Sequence, residues 1–217
     1  MMTMRVSRPL RDVPLIGFRA PWAAFAEGVL SDERCGSLVA RIDAGSPTPA
    51  TINTRYGHVV NTGARNNERV MFDDAALAEE LFAATRALLP ASLHRGILVG
   101  YNERFRGYRY REGQRFAPHF DGAYVRPDGH EASLLSVLFY LNEGFSGGET
   151  RLLDYDVTLV PRRGSALFFE HALLHEGSGV TAGTKYVLRT DAMYRFPSAW
   201  RTAPGPSRRV DGSQADL

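Results

Sequence analysis

Phe116-Ala117-Pro118-His119-Phe120-Asp121 begins a stretch, running to Tyr194, around which this chain is organised. Its middle is Leu134-Leu135-Ser136-Val137-Leu138-Phe139-Tyr140-Leu141, a nearly all-apolar run that reads as a strand covered on both faces. Short β segments follow, separated by turn signals: Gly147-Gly148 before Glu149–Leu153, then Val157–Val160, and Pro161–Gly164 before Ala166–Phe169. Thr181-Ala182-Gly183 precedes a last strand over Lys185–Tyr194. Upstream, Ile97 onward is also β in pattern, with Phe105–Arg111 and Arg115–Asp121 as strands. Gly122–Ala132 reads as a long loop. Many short strands at regular spacing predict a sandwich or barrel.

Two helices precede this core. Ser31 caps a helix whose first turn carries Asp32 and Glu33, whose apolar stripe is Leu38, Val39 and Ile42, and which Gly45-Ser46-Pro47 ends. Asp73-Asp74 starts the second, with Leu77, Leu81, Phe82, Leu88 and Leu89 at helical spacing and Pro90 closing it. This helix needs a sheet to pack on. Pro14–Phe18 reads as a short strand, residues 1–13 as a pattern-free basic arm, and residues 46–72 as a polar, turn-rich loop. The Pro, Gly, Ser and Arg content of 197–217 predicts a disordered tail.

The chain has 217 residues, 44% hydrophobic and 23% charged, which suits one globular domain with an extension. A single cysteine, Cys35, excludes an internal disulfide framework. No apolar run approaches the roughly 18 residues of a membrane-spanning helix, and no leader pattern is visible, so the expected compartment is the cytoplasm. A formal charge of +2 gives no case for a nucleic-acid partner. Of the 26 basic residues, Lys185 is the only lysine.

His119 and Asp121 are two apart, so on a strand both project from one face. His175 lies 54 residues beyond Asp121 and reaches them only in a folded-back sheet. Two imidazoles and a carboxylate on one face of an octahedron leave positions open, as in non-haem Fe(II) oxygenases. A zinc site also accepts two nitrogens and one oxygen. His171 is a rival third ligand. Lys185, ten residues past His175, would lie deeper between the sheets, where a buried cation needs an anionic partner. A dicarboxylate bound to the metal at one end would supply it. Arg189 shares the face of Lys185 and is the alternative anchor, roughly 13 Å along the strand.

The ordered run Tyr110-x-x-Gly113-x-x-Phe116-x-x-His119-x-Asp121, Leu138-Phe139-Tyr140-Leu141-Asn142, Gly147-Gly148-Glu149-Thr150, Pro161-x-x-Gly164-x-Ala166-Leu167-x-Phe169, His175-Glu176-Gly177 and Gly183-Thr184-Lys185-Tyr186 resembles the catalytic domain of prolyl-4-hydroxylase-like 2-oxoglutarate/Fe(II) dioxygenases. The resemblance covers about residues 95–196. It implies a mainly β fold with flanking helices and a double-stranded β-helix (jelly-roll) core, preceded by a helical and β extension over 1–94. It also implies Fe(II) held by His119, Asp121 and His175, and a salt bridge from Lys185 to the C5 carboxylate of 2-oxoglutarate. Tyr110 and Thr150 match positions lining the co-substrate pocket. For the central strand, Tyr140 and Phe139 both remain candidates. The implied cofactor set is Fe(II), 2-oxoglutarate and O2, and it admits ascorbate. The implied reaction couples oxidative decarboxylation, giving succinate and CO2, to hydroxylation of a substrate C–H bond. Retention of Asp121 favours hydroxylation over halogenation, with desaturation or ring closure as other outcomes.

Two other classes compete. A cupin-like metal-binding jelly roll would have no use for Lys185, and an inactive scaffold would have lost a ligand. The substrate is an amino acid, a peptide or protein side chain, or another small molecule. Five arginines between Arg104 and Arg115 suit an acidic partner or simply a solvated strand face. Arg65, Asn67 and Arg69, with the loop Ala123–Glu131, are expected to border the pocket mouth. Oligomeric state is left open.

Overall fold

A computed structural model of the protein describes residues 21–54, 57–59 and 61–198. The expected strand at Pro14–Phe18, the basic arm and nearly all of the C-terminal tail lie outside them.

The main sheet is antiparallel throughout. Its central strands are Glu131–Tyr140 and Lys185–Arg195, paired from Glu131 opposite Arg195 to Tyr140 opposite Val187. Ala166–Glu170 and then Ala23–Ala26 extend it on one side. Arg104–Tyr110, Glu68–Asp73 and Thr48–Pro49 extend it on the other. Gly96–Tyr101 pairs with the far half of Lys185–Arg195. A second, four-stranded sheet runs in the order Val157–Leu159, Thr150–Leu152, His175–Gly177, Phe116–His119.

Period-two alternation sorts the central strands into two cores. Leu135, Val137, Phe139, Phe168 and Leu188 face one side of the main sheet, with Leu38, Ile42, Leu77 and Leu81 of the helices packed on them. Tyr140, Leu167, Phe169, Val187, Tyr108 and Tyr110 face the other side, where Leu152 and Leu173 close the space between the sheets. The central run is apolar without alternation because it is buried twice. Each fully buried Leu or Phe contributes about 1.5–3 kcal/mol.

The helices form as their caps dictate. In α1 (Asp32–Ala44), the Ser31 hydroxyl accepts the Arg34 N–H at 3.1 Å. In α2 (Ala75–Thr85), the Asp74 carboxylate accepts the Leu77 N–H at 2.9 Å. Gly107 lets α1 lie close on the sheet, since a Cβ there would meet Ile42 Cγ1 at 2.5 Å. Helix α2 stops before Pro90, at Thr85, and Arg86–Leu88 continues as a 3-10 turn.

Two expectations need correction. Residues 46–72 are not simply a loop: Glu68–Asp73 is a strand of the main sheet, and shorter strands precede it. Its polar residues looked like a loop in isolation, and Asp73 like a helix start. Across the ladder they are paired, Glu68 with Arg109 at 2.6 Å and Asp73 with Arg104 at 2.9 Å. The strand expected over Arg115–Asp121 is only Phe116–His119. The chain leaves the ladder after His119, and the Asp121 N–H donates to the His171 carbonyl at 3.1 Å. His119 and Asp121 therefore do not share a strand face.

Candidate metal centre and its two cavities

Strand pairing brings the histidines together. His119 stands directly opposite His175 in the second sheet, and their ring centroids are 4.2 Å apart. Asp121, just past the strand end, completes the cluster: Oδ1 is 3.7 Å from His119 Nε2, and Oδ2 is 3.7 Å from His175 Nε2. One ligand atom from each of the three lies within 4.8 Å of the others.

The donor set fits a divalent metal ion. Each histidine uses Nδ1 on the carbonyl two residues earlier, His119 on Ala117 at 2.8 Å and His175 on Leu173 at 3.0 Å. That bond puts the ring proton on Nδ1 and leaves the Nε2 lone pairs facing Asp121, the arrangement a metal-ligating histidine needs. Burial holds both imidazoles neutral, pulling His119 down to about 3. Burial opposes ionisation of Asp121, but Arg189 together with the neighbouring His175, His119 and His171 outweighs it and keeps the carboxylate charged below its usual range.

The supports of Asp121 come from the main sheet. Ser136 Oγ donates to Oδ2 at 2.5 Å, and Arg189 Nη1 donates to Oδ1 at 2.6 Å. Arg189 also pairs with Asp191 at 3.1 Å. Arg189, the alternative anchor, is thus already engaged by two carboxylates. Nor is His171 placed as a ligand. Its two ring nitrogens meet the hydroxyls of Ser133 and Ser136 at 2.9 and 3.0 Å. Sequence reasoning missed Ser136 and Asp191. The available signal was a serine inside a doubly covered apolar strand, which must find a polar partner.

Two cavities meet at the metal cluster, both lined by His119 and Asp121, with His175 lining the inner one only. The inner one is lined by Tyr110, Tyr140, Thr150 and Lys185 as well as by the triad and Arg189. Lys185 is 3% exposed. Its ammonium donates to the Gly148 carbonyl at 2.6 Å and lies 5.3 and 5.5 Å from the ring centroids of Tyr110 and Tyr140. It makes no ion pair among the described residues, and burial pulls its pKa down to about 7. Tyr140, and not Phe139, faces this cavity, and its hydroxyl donates to Thr150 at 2.8 Å.

The outer cavity, about 620 Å³, opens past Phe120 and is bordered by Arg65, Arg69, Ala123 and Tyr124. Asn67 does not line it, but receives the Arg65 Nε–H at 3.0 Å and so orients that arginine. Of the expected Ala123–Glu131 border, only Ala123 and Tyr124 reach the cavity. The arginines of Arg104–Arg109 are tied up with acids: Arg104 with Asp73, Arg106 with Asp191, Arg109 with Glu68 and Asp43.

Residues 105–190 match the 2OG-Fe(II) oxygenase superfamily. That segment contains every residue of the triad and Lys185, and together with the donor geometry the match supports a 2-oxoglutarate/Fe(II)-dependent dioxygenase. Its metal is Fe(II), and its co-substrates are 2-oxoglutarate and O2. Among solved structures it is similar in fold to a viral collagen prolyl hydroxylase of Paramecium bursaria Chlorella virus-1, solved with 2-oxoglutarate: 24% identity, 80% of this chain and 96% of that one, TM-score 0.56. A Pseudomonas putida prolyl-4-hydroxylase is similar over 81% of this chain and 93% of its own, at 20% identity and TM-score 0.56. A Trichoplax adhaerens prolyl hydroxylase, solved with a hypoxia-inducible-factor peptide, is 15% identical over 80% of this chain and 83% of its own, TM-score 0.59. No curated protein sequence matches the chain.

Proposed function

We propose that the protein hydroxylates a C–H bond of a peptide or protein side chain, with His119, Asp121 and His175 holding Fe(II) and Lys185 binding the far carboxylate of 2-oxoglutarate. Its similarity in fold to a prolyl hydroxylase solved with a peptide supports this substrate kind. One observation carries the site assignment: three convergent donors share a cavity with a buried lysine that makes no ion pair among the described residues.

Iron held by His119, Asp121 and His175 would supply the redox chemistry for oxidising a C–H bond. The remaining work belongs to the chain. The carbonyls of Ala117 and Leu173 hold both imidazoles in the ligating tautomer. Ser136 and Arg189 fix the Asp121 carboxylate and keep it ionised. Lys185 neutralises and orients the inner end of the co-substrate, while Tyr110, Tyr140 and Leu138 exclude water around it. The outer cavity leaves the other side of the triad open to the substrate.

The deciding measurement is an anaerobic titration with Fe(II) and 2-oxoglutarate, watched for the visible charge-transfer band of the chelate. The wild-type protein should show the band, and His119→Ala should lose both it and Fe(II)-dependent succinate release. A band of wild-type intensity in His119→Ala would remove the ligand assignment.

A further inference from the structure

The outer cavity is far more cationic than a site for a neutral side chain requires. Arg65, Arg69, Arg106 and Arg189 all line it, against one lining carboxylate, Asp121. Two of these guanidiniums are accounted for by acids, Arg106 by Asp191 and Arg189 by Asp121 and Asp191. Arg65 and Arg69 have no ion pair among the described residues. Arg65 is 4% exposed, and its Nη2 is buried with no hydrogen-bond partner. Its guanidinium carbon lies over the Phe116 ring, 4.0 Å from the centroid, with Nε on Asn67. Arg69 stands across the ladder from Tyr108 and, among the described residues, donates to the Thr51 hydroxyl at 3.0 Å. Burial and the like charges of Arg65, Arg106 and Arg189 lower its pKa.

A buried guanidinium with an unsatisfied N–H is costly, and Arg69, a half-buried second cation beside the same cavity, adds to that cost unless an anion joins them. The co-substrate is not that anion, because the inner cavity with Lys185 does not include Arg65 or Arg69. We propose that the primary substrate carries a carboxylate that binds between Arg65 and Arg69, so that the enzyme oxidises an acidic peptide. A planar carboxylate matches the guanidinium fork. Phe120 and Tyr124, 59% and 37% exposed at the same mouth, offer apolar contact to the flanking chain. This rests on the oxygenase reading and adds to it the chemistry of the substrate. The carboxylate has two sources, an Asp or Glu side chain or the free C-terminus.

The test uses the full chain with Fe(II) and 2-oxoglutarate, without oxygen, and three fluorescent peptide pools. One contains Asp and Glu and has blocked ends. The second replaces these with Asn and Gln. The third is the second with a free C-terminal carboxylate. Anisotropy should show at least one carboxylate pool binding about tenfold or more tightly than the blocked amide pool, a difference of about 1.4 kcal/mol. Which pool binds identifies the carboxylate's source. Arg69→Met, at a part-exposed position, should reduce that preference to less than about twofold while the concentration of 2-oxoglutarate needed for the chelate band stays as in wild type. Arg65→Met should do the same, with thermal melting to verify that it folds. Equal binding of all three pools, no binding of any, or a preference surviving in Arg69→Met overturns the proposal. A wild-type sample without the chelate band overturns the oxygenase reading and this proposal with it. A sample with the band but no carboxylate preference overturns this proposal alone.

Discussion

Lys185 combines a fixed charge requirement with a site that resists charge. Burial draws its pKa down to about 7, partly opposed by Glu149. Two consequences follow, with the sign set by which state binds more protons. Between about pH 7 and 10 the unfolded chain keeps this lysine protonated while the folded chain does not. Without co-substrate, the unfolding free energy therefore rises with pH across that window, by up to about 1.4 kcal/mol per unit. Lys185→Met should lack that rise in denaturant unfolding at matched pH. Co-substrate binding has the opposite slope. If Lys185 meets the far carboxylate, the dianion selects the ammonium form, so above about pH 7 binding takes up a proton and affinity should fall toward tenfold per unit. Lys185→Arg should flatten the curve, since an arginine stays charged. A wild-type Kd that does not change over this range would mean that Lys185 does not meet the carboxylate. This residue was conspicuous in the sequence as the one lysine in an arginine-rich chain. Arg189 was equally visible, but its role was not. Its partners Asp121 and Asp191 are assigned by side-chain direction, which spacing along a strand does not determine.

The strand Lys185–Arg195 and the double glycine before Glu149 together hold that lysine in place. Gly147 and Gly148 both have positive φ, 69° and 68°. A Cβ on Gly147 would stand 2.3 Å from the Gly179 carbonyl oxygen, a backbone atom of the facing turn that cannot swing away. Gly147→Ala should therefore disturb the Ser146–Gly147 and Val180–Ala182 pairing and shift the Gly148 carbonyl that receives Lys185. Expected are a loss of about 1–3 kcal/mol in stability and weaker 2-oxoglutarate binding with Fe(II) affinity retained. Unchanged melting and co-substrate binding would show that the turn has slack. The glycines, the caps of both helices and the apolar run Leu134–Leu141 were legible in the sequence because each reflects a local rule. Strand Glu68–Asp73 was not, because its charges make sense only beside Arg104 and Arg109, far away in sequence. Placing Asp121 on the same strand as His119 failed for a related reason. The bond from its N–H to the His171 carbonyl pulls the chain out of the ladder, and no local signal encodes that bond.

Across the whole molecule, the triad joins the two sheets. His119 and His175 belong to the second sheet, while Asp121 is held by Ser136 and Arg189 of the main one. A metal ion bound to all three should therefore stabilise the complete sandwich. At a hundredfold excess over Kd, a ligand specific for the folded state adds about 2.7 kcal/mol, or roughly 5–11 °C for a chain of this size. Fe(II) added without oxygen, or Co(II) in air, should raise Tm by that amount, and EDTA should reverse it. Two variants separate ligation from folding. His119→Ala should abolish the metal-dependent rise and leave the metal-free Tm nearly unchanged, because His119 is a neutral ring at the edge of the second sheet. Asp121→Ala should abolish the rise and also lower the metal-free Tm. It removes the 2.6 Å partner of Arg189, whose guanidinium is buried and left with Asp191 alone. Breaking a buried pair costs about 3–5 kcal/mol, and the remaining contact with Asp191 puts this loss toward the lower end. Equal metal-free Tm values for the two variants would mean that Arg189 finds other partners and that Asp121 serves the metal alone. A metal-dependent rise persisting in both would place the ion elsewhere in the fold.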